Sequence, residues 1–270
     1  MRRICMYLEK EDVSLYYEVK GTGAPLLLIH GVVVDAGLYD RTSELLAEHF
    51  QVITYDRRGN SRSKMKEKKA FSMDAQAEDI RDLLDSLGIE SAYIAGCSAG
   101  AVVGEYFLEK YPERVRHLIM YEPAMLKFLE NEPGLKEWVD KINHLVEQRK
   151  FNSAILQFAQ HIASFDERSP KKDMEVAFRE MGNHEHALAC EFPGLAAYDP
   201  NLEKMKEQDA KITLAAGEKS GNTVYERAAV QLAQKIGKKA VYYPGYHNLP
   251  YDLPVEFAIC VIGTLMLNRA

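Results

Sequence analysis

The sequence predicts an α/β protein with a mostly parallel sheet covered by helices on both faces. Short unbroken apolar runs such as "PLLLIHG" are typical of strands buried on both sides. Patterns of helical period alternate with these runs, and such alternation indicates strand–helix–strand units. A long block without strand patterns then interrupts the alternation, which indicates an insertion.

The elements before this block follow one another in a regular order. "ICMYLEK" and "VSLYYEVKG" alternate as two strands joined by a turn. Strands and helices then take turns, as "PLLLIHG", "YDRTSELLAEHF", "QVITYD", "SMDAQAEDIRDLLDSLGI", "SAYIAG", "SAGAVVGEYFLEKYP" and "RVRHLIMYEP". The last of these is the sixth predicted strand.

The block after the sixth strand reads as helical throughout, and the alternation returns with "AKITLAAG", "TVYERAAVQLAQKIG", "KAVYYPG" and "LPVEFAICVIGTLMLN". We therefore predict a core domain from residues 1–124 and 207–270. Residues 125–206 are predicted to form a helical cap above the sheet.

Composition narrows the possible partners. The chain has 270 residues and a formal net charge of −6, which is unfavourable for binding nucleic acid, whose phosphates attract clustered Lys and Arg. The one basic run, "RSKMKEKKA", is interpreted as a solvated loop. No G-x-G-x-x-G loop follows the first strand and no P-loop is present, so no cofactor is expected.

The cysteines and the apolar segments bear on location. Cys5, Cys97, Cys190 and Cys260 are scattered, without the spacing of a metal site or a disulfide framework. The amino-terminal residues lack the apolar run of a signal peptide, and the last apolar segment is too short to span a bilayer. These features favour a cytoplasmic protein without a membrane partner or a bound metal.

The stretch "GCSAG" places Ser98 between a predicted buried strand and a predicted helix. A tight strand–helix turn lifts a side chain into the cleft beyond the sheet, and the helix start offers free N–H groups. Gly96 and Gly100 allow the strand and helix to pass closely. This is the pattern of a nucleophile elbow, and it predicts Ser98 as a nucleophile.

Two further motifs complete the predicted site. "HG" at residues 30–31 ends an earlier strand, and a loop leaving the sheet there can direct a backbone N–H toward Ser98. We predict that the N–H groups of Val32 and Ala99 form an oxyanion hole. His247, in the loop "PGYHNLP" after the last strand, is the predicted general base.

Together these motifs resemble the α/β-hydrolase superfamily along nearly the whole chain. "YDRRGNSRS" at residues 55–63 is similar to a further turn of that superfamily. The resemblance implies an eight-stranded, mostly parallel sheet with a helical cap after strand six. A serine rather than an aspartate at the elbow argues against the haloalkane dehalogenase and epoxide hydrolase branches.

The acid of a Ser–His–acid triad is missing from its usual place after strand seven. The residue nearest to the expected position is Ser220, which cannot carry charge. Glu122, directly after strand six, is the favoured candidate because some members of the superfamily place the acid there. Glu218 and a site without an acid remain alternatives, and Asp252 ranks below them.

The sequence therefore predicts a serine hydrolase that acts through an acyl-enzyme on a small, partly hydrophobic ester, thioester, lactone or amide. Alternatives are haloperoxidase-like or carbon–carbon bond hydrolase chemistry on the same residues, and a non-catalytic ligand-binding protein. The cap is expected to close the pocket, and the candidates for lining it are Phe128, Leu129, Trp138 and Phe165. Aromatic and aliphatic residues in amphipathic helices more often pack in the core of a cap.

Overall fold

A computed structural model describes residues 4–67, 70–162 and 166–268. Its centre is one sheet of nine strands, β1 to β9 in chain order. Their bounds are Ile4–Glu9, Val13–Lys20, Ala24–Ile29, Phe50–Tyr55, Lys64–Met65, Ala92–Cys97, Val115–Tyr121, Ile212–Gly217 and Val241–Tyr243.

The sheet has the order β1-β2-β4-β3-β6-β7-β8-β9, with β5 paired to β2 outside this path. Strands β1 and β2, β2 and β4, and β2 and β5 pair antiparallel, whereas all other neighbours are parallel. The predicted α/β fold with a mostly parallel sheet is confirmed.

One short strand differs from the sequence interpretation. β5 lies in the basic run that was expected to be a solvated loop, and Met65 and Lys64 pair with Val13 and Ser14 of β2. Only two residues pair there, too few for an alternating pattern to show in the sequence.

Helices cover both faces of the sheet. The α-helices, α1 to α11 in chain order, are Asp40–Leu46, Met73–Ser86, Ala99–Lys110, Leu135–Glu147, Phe151–Ile162, Met174–His186, Phe192–Ala197, Leu202–Glu207, Val224–Lys235, Leu249–Asp252 and Pro254–Leu267. The side chains of α2, α3 and α9 form an apolar core on one face, and α1 and α11 form another on the opposite face.

The region between β7 and β8 is helical, from α4 to α8, with a π-helical turn at Ala187–Glu191. This agrees with the absence of strand patterns there. The division into a core and a cap at residues 125 and 206 stays a prediction. Within the described part of the chain, no helix has both the length and the apolar character needed to cross a membrane.

Candidate active site

Ser98 stands between β6 and α3 in a strained backbone conformation, with φ 56° and ψ −121°. Such a positive φ is uncommon for a residue other than glycine. Glycine is required at both flanking positions because a side chain would collide with the neighbouring backbone. A Cβ on Gly96 would lie 2.3 Å from the Gly100 carbonyl oxygen, and one on Gly100 would lie 2.0 Å from the Ile29 oxygen. The sharp turn predicted from "GCSAG" is therefore present.

The loop after β3 approaches the serine directly. A Cβ on Gly31 would lie 3.2 Å from the Cβ and 3.7 Å from the Oγ of Ser98. Val32 follows in this loop, and Ala99 is the first residue of α3, so its N–H is among those that find no acceptor within the helix. The two predicted oxyanion donors thus lie on the two backbone segments that flank Ser98.

His247 lies in the loop between β9 and α10, and it is buried. Its Nδ1 is 2.7 Å from Oε2 of Glu122, and its ring lies against that of Tyr225, with the ring centroids 4.3 Å apart. The carbonyl of His247 accepts a bond from the thiol of Cys97, the neighbour of Ser98. The loop of His247 therefore contacts the serine elbow through its backbone, and Ser98 and His247 line the same cavity.

Glu122 follows β7 with a φ of 44° and is fully buried. Its N–H donates to the Ala215 carbonyl at 2.9 Å. One carboxylate oxygen faces His247, and the other accepts from the N–H of Gly217 at 2.8 Å. Both oxygens are thus fixed. A carboxylate at this place favours the tautomer with a proton on Nδ1, which leaves Nε2 as the acceptor nitrogen.

The other residues considered for the place of the acid have different surroundings. Glu218 is exposed at the end of β8. Ser220 is buried, and its hydroxyl has no hydrogen-bond partner among the described residues. Asp252 accepts from the Ser169 hydroxyl at 2.7 Å. Of these candidates, Glu122 is the one that the structure brings to His247.

His30 lies behind the loop of Val32, where it contacts the backbone of two neighbouring segments. Its Nδ1 bonds the carbonyl of Gly31, and its Nε2 accepts the N–H of Arg57 at 2.9 Å. Burial, together with the positive charge of Arg57, lowers the pKa of His30 to about 4. A neutral His30 therefore fixes the conformation of the loop beside Ser98.

A buried ion pair, which the sequence analysis did not identify, joins this loop to the helices above it. The guanidinium of Arg57 donates to the carbonyls of His30 and Gly31 and, at 2.8 and 2.9 Å, to both oxygens of Glu191. Burial alone would raise the pKa of Glu191, but Arg57 and His186 outweigh it and lower that pKa to about 2. Arg57 belongs to the motif "YDRRGNSRS", but nothing in the neighbouring sequence indicates that its partner lies 134 residues away.

One histidine of "NHEHA" lies beside this pair, since His186 Nε2 is 3.7 Å from Glu191. Burial lowers the pKa of the other, His184. Across residues 4–67, 70–162 and 166–268, no group of three or more His, Cys, Asp and Glu side chains is arranged to hold a metal ion.

A cavity of about 380 Å³ opens in front of Ser98 and His247. Much of its wall is apolar, and it includes Val32, Val33, Val34, Leu38, Ile155, Phe158, Ala159, Pro170 and Tyr251. Ser169, Lys172 and Glu180 add a polar region. An apolar pocket with a few polar groups is typical of a small-molecule site.

Three of the candidate lining residues pack in the core, as aromatic and aliphatic residues of amphipathic helices more often do. Trp138 packs instead against Phe158 and Phe192, with ring centroids 6.0 and 5.7 Å apart. Leu129 is buried in the apolar core, and Phe128 packs against that core. Phe165 lies outside the described residues. The periodic pattern of a helix shows which face is apolar, but it cannot tell a cavity wall from a packed core.

Comparisons with known proteins agree with this architecture. A family model described as "alpha/beta hydrolase fold" matches residues 24–254. The chain is 29% identical over 246 residues to the "Uncharacterized hydrolase YraK" of Bacillus subtilis, with 89% of this chain and 88% of that protein covered.

Solved structures show the same fold at low sequence identity. A protein from Pseudomonas aeruginosa, named provisionally as an epoxide hydrolase, is 18% identical with a TM-score of 0.79, and 99% of this chain and 96% of that chain are covered. A thermophilic esterase from Thermogutta terrifontis is 20% identical with a TM-score of 0.74, and both chains are covered completely, at 100%. The chain is a hydrolase, and it belongs to the α/β-hydrolase fold family.

Proposed function

We propose that the protein is a serine hydrolase that cleaves a small, partly hydrophobic ester, thioester, lactone or amide through an acyl-enzyme. The observation that carries this proposal is the 2.7 Å contact between His247 Nδ1 and Glu122, in a cavity that Ser98 also lines. A histidine oriented by a carboxylate beside a serine is the arrangement that activates a hydroxyl nucleophile.

The first half of the reaction forms the acyl-enzyme. Nε2 of His247 takes the proton of the Ser98 hydroxyl, and Oγ attacks the substrate carbonyl. Glu122 stabilises the imidazolium that results. The N–H groups of Val32 and Ala99 hold the oxyanion. The imidazolium then returns its proton to the leaving group, and the bond between the carbonyl carbon and that group breaks.

The second half releases the product acid. His247 takes a proton from water, which attacks the acyl-enzyme, and then protonates Ser98 as the serine ester breaks. The apolar wall supports a partly hydrophobic substrate, because removal of apolar surface from water favours binding. We also propose that residues 125–206 act as the cap, since Ile155, Phe158 and Glu180 of its helices line the cavity.

A fluorophosphonate probe followed by peptide mass spectrometry tests the nucleophile, and p-nitrophenyl esters of increasing acyl length test the reaction. We expect labelling of Ser98, turnover of the short esters, and a fall in kcat on the order of 10⁶ for Ser98→Ala. Ser169→Ala is the matched control, because Ser169 lines the same cavity. Turnover or labelling that survives in Ser98→Ala would contradict the proposal.

A further inference from the structure

Helix α6 departs from the usual pattern of burial. Met174, Phe178 and Met181 are largely exposed, whereas Glu180 and Asn183 are buried together with Val176. A surface helix ordinarily turns its apolar face inward and its charged face outward. Buried charge is unfavourable unless it is paired, so the position of Glu180 requires an explanation.

Asn183 is accounted for by its contacts with the core. Its side-chain oxygen accepts from the N–H of Ser61 at 2.6 Å, and its amide donates to the Ser61 hydroxyl at 3.0 Å. These bonds fasten α6 to the turn after β4. Glu180 makes no comparable contact with the core.

Glu180 is only partly satisfied. Its Oε2 accepts from Nζ of Lys172, but its Oε1 is buried and has no hydrogen-bond partner within the described part of the chain. Burial raises the pKa of Glu180, although Lys172 opposes the change. Lys172 also lies over the ring of Tyr251, with Nζ 5.3 Å from the centroid. The single bond from Lys172 leaves acceptor capacity on this carboxylate, which a donor on a ligand could use.

Both residues line the cavity that contains Ser98 and His247. The carboxylate of Glu180 and the remaining N–H groups of Lys172 thus offer a substrate both kinds of hydrogen bond. Because the two charges are paired with each other, an added ion of either sign would meet a like charge as well as an opposite one. A neutral group that donates and accepts together fits this pair best.

We propose that Glu180 and Lys172 select substrates that carry a primary carboxamide, or a group with the same donor and acceptor, away from the carbonyl that is cleaved. The inference rests on the proposed hydrolase function and names its specificity. The amide N–H donates to Glu180, and the amide oxygen accepts from Lys172. The rest of the substrate contacts the apolar wall.

Hexanamide and 2-heptanone test this pair directly, because they differ only in an NH₂ group in place of a CH₃ group. Each is measured as a competitive inhibitor of p-nitrophenyl acetate hydrolysis. In the wild-type protein we expect hexanamide to bind more tightly by about tenfold, since 2-heptanone leaves the acceptor of Glu180 unpaired.

The double variant Lys172→Met with Glu180→Leu removes both partners while keeping similar volumes, so that neither charge is left without the other. We expect the preference for hexanamide to disappear. If the double variant fails to fold, Glu180→Gln takes its place. This variant keeps the shape of the side chain, and we expect it to lower the preference for hexanamide. The matched control is Lys136→Met with Asp140→Leu, an exposed pair on α4, which should leave the preference unchanged.

An equal preference for hexanamide in the wild type and in both cavity variants would overturn the inference, and so would no preference in the wild type. If hexanamide binds through the oxyanion hole instead, the variants keep the preference. If the wild-type protein hydrolyses no ester, the proposed function fails by itself. Calorimetric binding of the same two compounds to the same variants then decides the inference separately.

Discussion

The turns that follow β7 and β8 lie side by side, yet they serve the site in different ways. The strands are paired, with Tyr121 opposite Ala215. The turn after β7 carries a buried glutamate that reaches His247, and the turn after β8 carries an exposed glutamate and a buried serine. The second turn contributes a backbone N–H, from Gly217, to the carboxylate of the first.

This comparison shows what a carboxylate needs in order to act on the imidazole. The charge must be held in a buried place by donors, and the turn after β8 supplies one such donor without supplying the acid. We infer that an acid at either strand end could serve the same histidine, provided that its carboxylate occupies the same place.

Among changes to these two turns, Glu122→Gln is expected to have the largest effect on turnover. The amide NH₂ would face Nδ1 and favour the tautomer in which Nε2 carries the proton, so that His247 could no longer accept from Ser98. We expect kcat to fall on the order of 10⁴. The measurement is ester turnover under saturating substrate.

Glu218→Gln is the control for this prediction, because the side chain of Glu218 is exposed on the neighbouring turn. Its turnover should match that of the wild type. Loss of activity in Glu218→Gln with full activity in Glu122→Gln would reverse the assignment of the two turns.

A smaller effect is expected when an acid is moved to the second turn. In the Glu122→Gln background, Ser220→Asp places a carboxylate after β8 and should recover about tenfold in kcat, because part of the imidazolium stabilisation returns. Ser220→Asn in the same background has nearly the same shape without the charge, and no recovery is expected. Equal rates for the two variants would show that this turn cannot hold an acid for His247.

The smallest effect concerns the backbone of the two turns. Glu122 has a φ of 44° and Gly221, beyond β8, has a φ of 49°. A side chain at positive φ costs about 1 kcal/mol relative to glycine. The free energy of unfolding of Glu122→Gly should therefore exceed that of Glu122→Ala by about 1 kcal/mol. Gly221→Ala should have a free energy of unfolding lower than that of the wild type by a similar amount.

Urea denaturation of the three variants and the wild type measures these differences. Glu122→Ala and Glu122→Gly both lack the carboxylate, so these two variants differ mainly in their backbone preference. Equal midpoints for this pair would mean that the turn after β7 relaxes to an ordinary conformation once the carboxylate is removed.

Much of the fold followed from local sequence patterns. The buried strands and the start of α3 have clear periodicity, and the serine elbow is a short motif whose glycines are required by distances within the turn. His247 could be chosen because its loop follows the last strand. Each of these depends on residues that are close in the sequence.

Other features depend on residues that only the fold brings together. Glu122 was favoured over Glu218 only because the resemblance to the superfamily supplied the order of the strands, which no local pattern gives. The pair of Glu180 with Lys172 had no local signal, since a charged residue on a helix is ordinarily assigned to the solvent side. The contact of Arg57 with Glu191 spans two distant segments. Sequence patterns report the average side of a helix, and exceptions to it became visible only in three dimensions.

The ion pair between Arg57 and Glu191 has a consequence for protein engineering. Both side chains are almost completely removed from water, and a buried charge that loses its partner is strongly destabilising. A chimera that exchanges residues 125–206 for a helical segment from a relative must therefore bring a carboxylate to the same point. Without it, the guanidinium beneath the loop of Val32 is left uncompensated, and damage to that loop would be mistaken for a change in substrate preference.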